Sequence, residues 1–220
     1  MSIRVHMFAE TADYLGSNSY LIIYDNNDAI LVDPSFFNKR ILKYIKENDL
    51  NLIACLLTHG HYDHIQGLPV ILKKYQRLPV YIGQADVVQL VDPNLNLSGM
   101  SKDKREHLSI KHPIKGVIEG PLDIKGHVIQ VLDTPFHTCG SVCYLIPEEH
   151  IMFTGDTLMK GEIGRFDLKH ASPRNCKASL QKLGAQDPEY KIYSGHGEVS
   201  TIREELKNNQ FLIRFSEGNK

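Results

Sequence analysis

Apolar and polar positions change period several times along the chain. IRVHMF (3–8) alternates, and NSYLIIY (18–24) is rich in β-branched and aromatic residues, so both predict strands. Asn26-Asn27-Asp28 is turn chemistry, and AILVD (29–33) predicts a third strand that Pro34 closes. In FFNKRILKYIKENDL, Phe37, Ile41, Leu42 and Ile45 recur at helical spacing. LIACLLT (52–58) is a continuous apolar run, expected where both faces of a strand are covered. From Gly67 to Gln89 the pattern predicts a helix, the short strand PVYIG and a second helix, and residues 92–121 read as irregular. HVIQVLDT, SVCYLI and HIMFTGD predict three strands separated by turn residues. Pro173 suits the first turn of a helix over 174–183. KIYSGHG is a last strand and turn, and STIREELKNN is a helix with a Ser/Thr cap and a Glu three positions beyond Thr201. The alternation predicts an α/β protein with sheets packed against helices.

Composition narrows the classes. A formal net charge of −1 and a pI near 6.8 provide no global field to recruit nucleic acid or an anionic membrane. No apolar run approaches the roughly 20 residues of a membrane span, and the N-terminus lacks the apolar core of a signal peptide. The expectation is a cytoplasmic protein of one domain, 1–220, acting on a small molecule, with no nucleic-acid or membrane partner. Oligomeric state is not legible. Cys55, Cys139, Cys143 and Cys176 form no C-x-x-C pair and read as packing residues. Cys139 and Cys143, if both in one strand, lie about 13 Å apart on one face, too far for a disulfide.

The chemistry gathers where strands end. THGHYDHIQG (58–67) follows the apolar run and contains His59, His61, Asp63 and His64. His59 and His61, two apart in an extended segment, can point the same way. Asp63 and His64 lie across the turn into the next helix, within reach of a second point. Imidazole and carboxylate together suit zinc, iron or manganese, and the spacing is not the helical HExxH of the zincins. TPFHTCGS places His137 after one strand, FTGDT places Asp156 after another, and SGHG places His196 after a third. Active sites of α/β folds collect at such carboxyl ends.

H-x-H-x-D-H, then a lone His, then G-D-T and G-H-G, resembles the metallo-β-lactamase fold superfamily. The resemblance implies a four-layer αββα sandwich with two divalent metal ions, zinc foremost, with iron or manganese as alternatives. It implies that His59, His61 and His137 hold one ion, that Asp63, His64 and His196 hold the other, and that Asp156 bridges them. Asp33, in the VDP segment, matches the family's supporting acid behind the metal loop. GDTLMKGEIGRFD is most similar to the hydroxyacylglutathione hydrolase (glyoxalase II) branch, in which Arg165 falls at a basic position contacting the glutathione moiety. Phe136 stands where a Gly commonly precedes the lone His, and Asp167 where a Tyr is common. Only residues 197–220 follow His196, so the helical C-terminal domain of full-length relatives is expected to be absent.

The expected activity is therefore metal-dependent hydrolysis of a small thioester such as a 2-hydroxyacyl-glutathione. The attacking group would be a hydroxide bridging the two metals, positioned by Asp63 and Asp156, with Asp63 moving its proton. The alternatives are a mononuclear-iron persulfide dioxygenase, and a lactone or phosphodiester hydrolase on the same fold. His6, His107, His112, His127, His150 and His170 are expected to ligate nothing, Lys160 to be solvated, and Phe36, Phe37 and Tyr62 to pack in the core or at a rim.

Overall fold

The computed structural model describes residues 3–9, 16–36 and 38–216. They form two compact units, Met1–Gly116 and Val117–Lys220, each built on one six-stranded sheet.

The first unit carries β1 (Ile3–Phe8), β2 (Ser19–Tyr24), β3 (Asp28–Val32), α1 (Asn38–Glu47), β4 (Asn51–Leu57), α2 (Tyr62–Ile65), α3 (Leu68–Lys74), β5 (Val80–Gly83) and β6 (Ile114–Val117). Its strands lie in sequence order, antiparallel from β1 to β3 and parallel from β3 to β5. Ile41 and Ile45 of α1 and Leu68 and Ile71 of α3 pack against Leu21, Leu31, Cys55 and Leu57 of the sheet. Each such side chain contributes about 1.5–3 kcal/mol by leaving water. The opposite-facing Ile22, Ile30, Ala54 and Leu56 are buried too, as the unbroken apolar run of β4 predicts. Phe37 lies outside the described residues.

The second helical stretch expected after PVYIG takes the form of a 3-10 helix, Gln84–Leu90. One expectation for this unit needs correction. Residues 92–121 are not wholly irregular: they contain two short 3-10 turns, the edge strand β6 and the start of the next strand. IKGV has a central Gly and only four residues, so its pairing with β5 leaves little mark on the sequence.

The second unit carries β7 (Gly120–Ile124), β8 (His127–Asp133), β9 (Val142–Ile146), β10 (Ile151–Gly155), α4 (Cys176–Gly184), β11 (Lys191–Ser194), β12 (Ser200–Thr201), α5 (Ile202–Asn208) and α6 (Gln210–Ser216). α6 was not expected from the sequence. β8, β9 and β10 alternate direction, and β11 runs parallel to β10. The carboxyl ends of β8, β10 and β11 therefore share one edge of the sheet. Leu180 and Leu183 of α4, Ile202 of α5 and Leu212 of α6 pack with Cys143, Met152 and Ile192 of the sheet.

The Thr201 cap forms as expected, its Oγ1 accepting from Glu204 N at 3.1 Å. A polar cluster anchors the same helix. The buried Glu205 carboxylate accepts from Ser200 Oγ, Gly161 N and Asn209 Nδ2, and Asn209 Nδ2 also donates to the Met159 and Glu162 carbonyls. Asn209 Oδ1 in turn accepts from the first amides of α6. The hairpin loop between β10 and α4 is thereby tied to the last two helices.

All four cysteines are free thiols. Cys139 precedes β9 rather than lying within it, so the same-strand geometry expected for Cys139 and Cys143 does not arise. Burial pushes the Cys143 thiol up to about 12 and the Cys55 thiol well above its ordinary range. A thiol raised in this way remains protonated, and so unreactive, at pH 8. Iodoacetamide at pH 8 is expected to add to Cys139 of the folded chain and to spare Cys55 and Cys143, with all four reacting in denaturant. Peptide mass mapping checks this, and an adduct on Cys143 of the folded chain contradicts it. Glu205→Ala leaves three donors without their acceptor and is expected to cost about 3 kcal/mol in urea unfolding, against about 1 kcal/mol for Thr201→Ala.

Candidate metal centre

In the first unit, strand register sets the site. β3 and β4 are parallel with Val32 beside Leu56, so Asp33 and Thr58 emerge together at their carboxyl ends. Asp33 N donates to Leu56 O at 3.0 Å, and its φ of 47° turns the chain sharply at Pro34. A non-glycine residue pays about 1–3 kcal/mol for such a backbone, which persists where its surroundings hold it. Those surroundings are hydrogen bonds: Thr58 N donates to Asp33 Oδ1 at 2.8 Å, and Thr58 Oγ1 and His64 Nδ1 lie 2.7 and 2.9 Å from Oδ2.

This hub fixes proton positions on two imidazoles. A carboxylate only accepts, so His64 Nδ1 is the donor and His64 Nε2 bears the lone pair. Thr58 Oγ1 has given its hydrogen to Asp33 and therefore accepts from His59 Nδ1 at 3.2 Å, leaving the lone pair on His59 Nε2. His59 Nε2 stands 3.1 Å from His61 Nδ1. Two nitrogens bound to one tetrahedral zinc lie about 3.3 Å apart, so this pair fits a shared cation. His64 Nε2 stands 3.7 Å from Asp63 Oδ2, a second lone pair beside a carboxylate. His59, His61 and His64 are almost wholly buried, whereas Asp63 is partly open to solvent.

In the second unit the common edge of β8, β10 and β11 carries His137, Asp156 and His196 just beyond the strands. Asp156 Oδ2 lies 3.5 Å from His137 Nε2 and 3.7 Å from His196 Nε2. His137 Nδ1 donates to the carbonyl of Arg165 at 2.6 Å, so its Nε2 lone pair faces the carboxylate. Two electron-rich atoms facing each other in a buried place repel unless a proton or a cation lies between them. Gly164 makes the approach possible, since a Cβ there would stand 2.3 Å from Asp156 O and 2.7 Å from His137 Nδ1. The donor set and its oriented lone pairs fit divalent cations of the zinc, iron or manganese type.

Each expected site residue is thus placed. Asp33 has the hydrogen bonds of a supporting acid. Arg165 is exposed, and its guanidinium forms a two-pronged pair with Asp167, Nε to Oδ1 at 2.8 Å and Nη2 to Oδ2 at 2.9 Å. It is the Arg165 carbonyl that touches a candidate ligand, a role no side-chain motif encodes. Thr58 was also missed as the relay between Asp33 and His59, although its place just before the first His is a signal. Among the histidines expected to ligate nothing, His107 and His112 meet the Ser101 and Leu78 carbonyls, His150 meets Asp187, and His6 stacks on Tyr44. Lys160 is exposed and pairs with Glu198.

A family model described as the Metallo-beta-lactamase superfamily matches residues 12–196, a span that takes in every one of these ligand-capable positions. The chain belongs to the metallo-beta-lactamase superfamily. The α/β metallo-β-lactamase fold expected from the sequence is the fold of this family. The chain is 35% identical over 202 residues to the probable metallo-hydrolase YqgX of Bacillus subtilis (strain 168), covering 91% of this chain and 94% of YqgX. It is 30% identical over 206 residues to the hydroxyacylglutathione hydrolase GloC of Haemophilus influenzae, covering 89% of this chain and 92% of GloC. It also superposes on the crystal structure of TTHA1623 in a di-iron-bound form, with a TM-score of 0.79 and 30% identity, covering 93% of this chain and 99% of that one.

Gly164→Ala is expected to push Asp156 and His137 apart and to lower the metal bound per chain at least tenfold at limiting metal. Elemental analysis after gel filtration checks this. Unchanged metal content would show that the close approach of Gly164 is not needed.

Proposed function

We propose that the chain is a dinuclear metal-dependent hydrolase of a small acyl thioester, with 2-hydroxyacyl-glutathione as the leading substrate class. The observation that carries the metal part is the fixed tautomers: Asp33, Thr58 and the Arg165 carbonyl take the Nδ1 protons of His64, His59 and His137 and leave each Nε2 a lone pair. In this reading His59, His61 and His137 serve one cation, Asp63, His64 and His196 the other, and Asp156 both; all seven can supply ligand atoms. The match of one family model across residues 12–196 supports treating the two sets as one centre. Zinc is the leading metal, and the di-iron form of TTHA1623 keeps iron as its competitor.

When bound, two such cations would lower the pKa of a water toward neutrality and polarise a substrate carbonyl. The protein's part is orientation and proton traffic. Asp156, the more buried carboxylate, orients; Asp63, partly exposed, is placed to pass a proton to solvent. A thioester leaves as a stabilised thiolate, so the site needs no strong general acid.

The similarity to GloC along 92% of that protein's length supports the glutathione thioester. Contact of Arg165 with the glutathione portion belongs to the same proposal and requires exchange of its Asp167 partner for a substrate carboxylate. A cytoplasmic location accords with four free thiols and with the lack, among the described residues, of a helix long and apolar enough to cross a membrane.

The test compares purified, metal-loaded protein on lactoyl-glutathione, a lactone panel and a phosphodiester panel, with metal counted in the same samples. The expected result is about two metal equivalents per chain and turnover of the thioester, lost by at least a thousandfold in His61→Ala. No thioester turnover by fully loaded protein overturns the substrate. A single iron with oxygen uptake on a persulfide overturns hydrolysis.

A further inference from the structure

Gln89 is fully buried, with 0% of its surface exposed, in the 3-10 segment after β5 and far in sequence from any candidate ligand. Its side-chain amide is used at both ends. Nε2 donates to the Leu95 carbonyl at 3.1 Å, and Oε1 accepts from Gly60 N at 3.0 Å. Leu95 O can only accept, so the amide has one possible orientation, with its oxygen on Gly60. Gly60 is the residue between His59 and His61. A Cβ on it would stand 2.6 Å from both Cβ and Oε1 of Gln89, so the glycine of H-G-H is the space Gln89 occupies.

The other flank of His61 is held from the chain just beyond that segment. Tyr62 N donates to the Asn96 carbonyl at 2.8 Å. Asn96 is itself buried, its Nδ2 donating to the Gln89 and Leu108 carbonyls and its Oδ1 accepting from Ser98 N. The His59–Gly60 peptide, through Gly60 N, and the His61–Tyr62 peptide, through Tyr62 N, are thus clamped by one locked assembly, while the His61 backbone is extended at φ −70°, ψ 149°. A carbonyl or side-chain oxygen at each flank leaves the His61 Cα–Cβ direction little freedom.

We infer that Gln89 is a positioning residue that sets the bite of the His59–His61 pair, through the Gly60 amide, for the cation these histidines share. The inference rests on the metal reading above. Removing the Gln89 acceptor frees the Gly60 peptide to rotate, and the 3.1 Å separation of His59 Nε2 and His61 Nδ1 is then no longer imposed. Loss of an outer partner of this kind typically costs 10–100-fold in metal affinity.

The test uses Gln89→Met, which matches the volume without an acceptor, and Gln89→Glu, whose carboxylic acid form keeps both an acceptor for Gly60 N and a donor for the Leu95 carbonyl. Ile45→Val, in the core of the same unit, controls for lost packing. Transfer of zinc from each loaded protein to a chromogenic chelator, the visible spectrum of each cobalt-substituted protein and the melting temperature of each stripped protein are measured. Gln89→Met is expected to release zinc with at least tenfold lower affinity and to shift the cobalt spectrum, Gln89→Glu to stay within threefold, and Ile45→Val to change only melting. If Gln89→Met does not fold, Gln89→Ala carries the same comparison. Wild-type affinity and spectrum in the acceptor-less variant overturn the inference, as does equal loss in Gln89→Glu. A wild-type chain that binds no metal instead overturns the metal reading itself, a distinct result.

Discussion

Three donors converge on the buried carboxylate of Asp33, and the candidate metal loop takes its form from them. An ionised carboxylate surrounded by apolar strands is costly unless its lone pairs are filled, and Thr58 and His64 fill them. The same bonds settle which nitrogen of His64, and through Thr58 of His59, holds a proton. One acid thereby converts two ambiguous imidazoles into two directed lone pairs. The strained backbone at Asp33 is held by the parallel register of β3 and β4, which brings its carboxylate beside Thr58.

The second unit reaches the same end by a backbone route. His137 gives its Nδ1 proton to the Arg165 carbonyl, and Gly164 allows the chain to come that close. The loop supplying this carbonyl is fastened through Gly161, Met159 and Glu162 to Glu205 and Asn209. Helices far from the candidate ligands thus bear on their geometry. In both units a ligand-capable histidine sits at a strand end because loops there are free to carry polar groups while the sheet stays rigid. The contrast is in the outer partner: a charged carboxylate in one unit, a neutral carbonyl in the other. Both arrangements leave Nε2 as the nitrogen that offers a lone pair.

The sequence by itself determined the strands with clean alternation or long apolar runs, the Thr201 cap and the ligand-capable residues. Each of these is written in local spacing: period two for strands, hydroxyl and carboxylate three apart for the cap, histidines two apart in an extended loop. It also carried Asp33, because an acid before Pro34 at a strand end is a local pattern. Tertiary structure alone decided the edge strand β6, the 3-10 form of residues 84–90, the Glu205–Asn209 anchor and the use of the Arg165 carbonyl rather than its side chain. It alone showed that Gly60 makes room for Gln89. These depend on which distant backbone amide or carbonyl arrives beside a group, and a backbone amide is the same in every residue. Hydrogen bonds of that kind leave no mark in side-chain identity, so only the folded chain could place them.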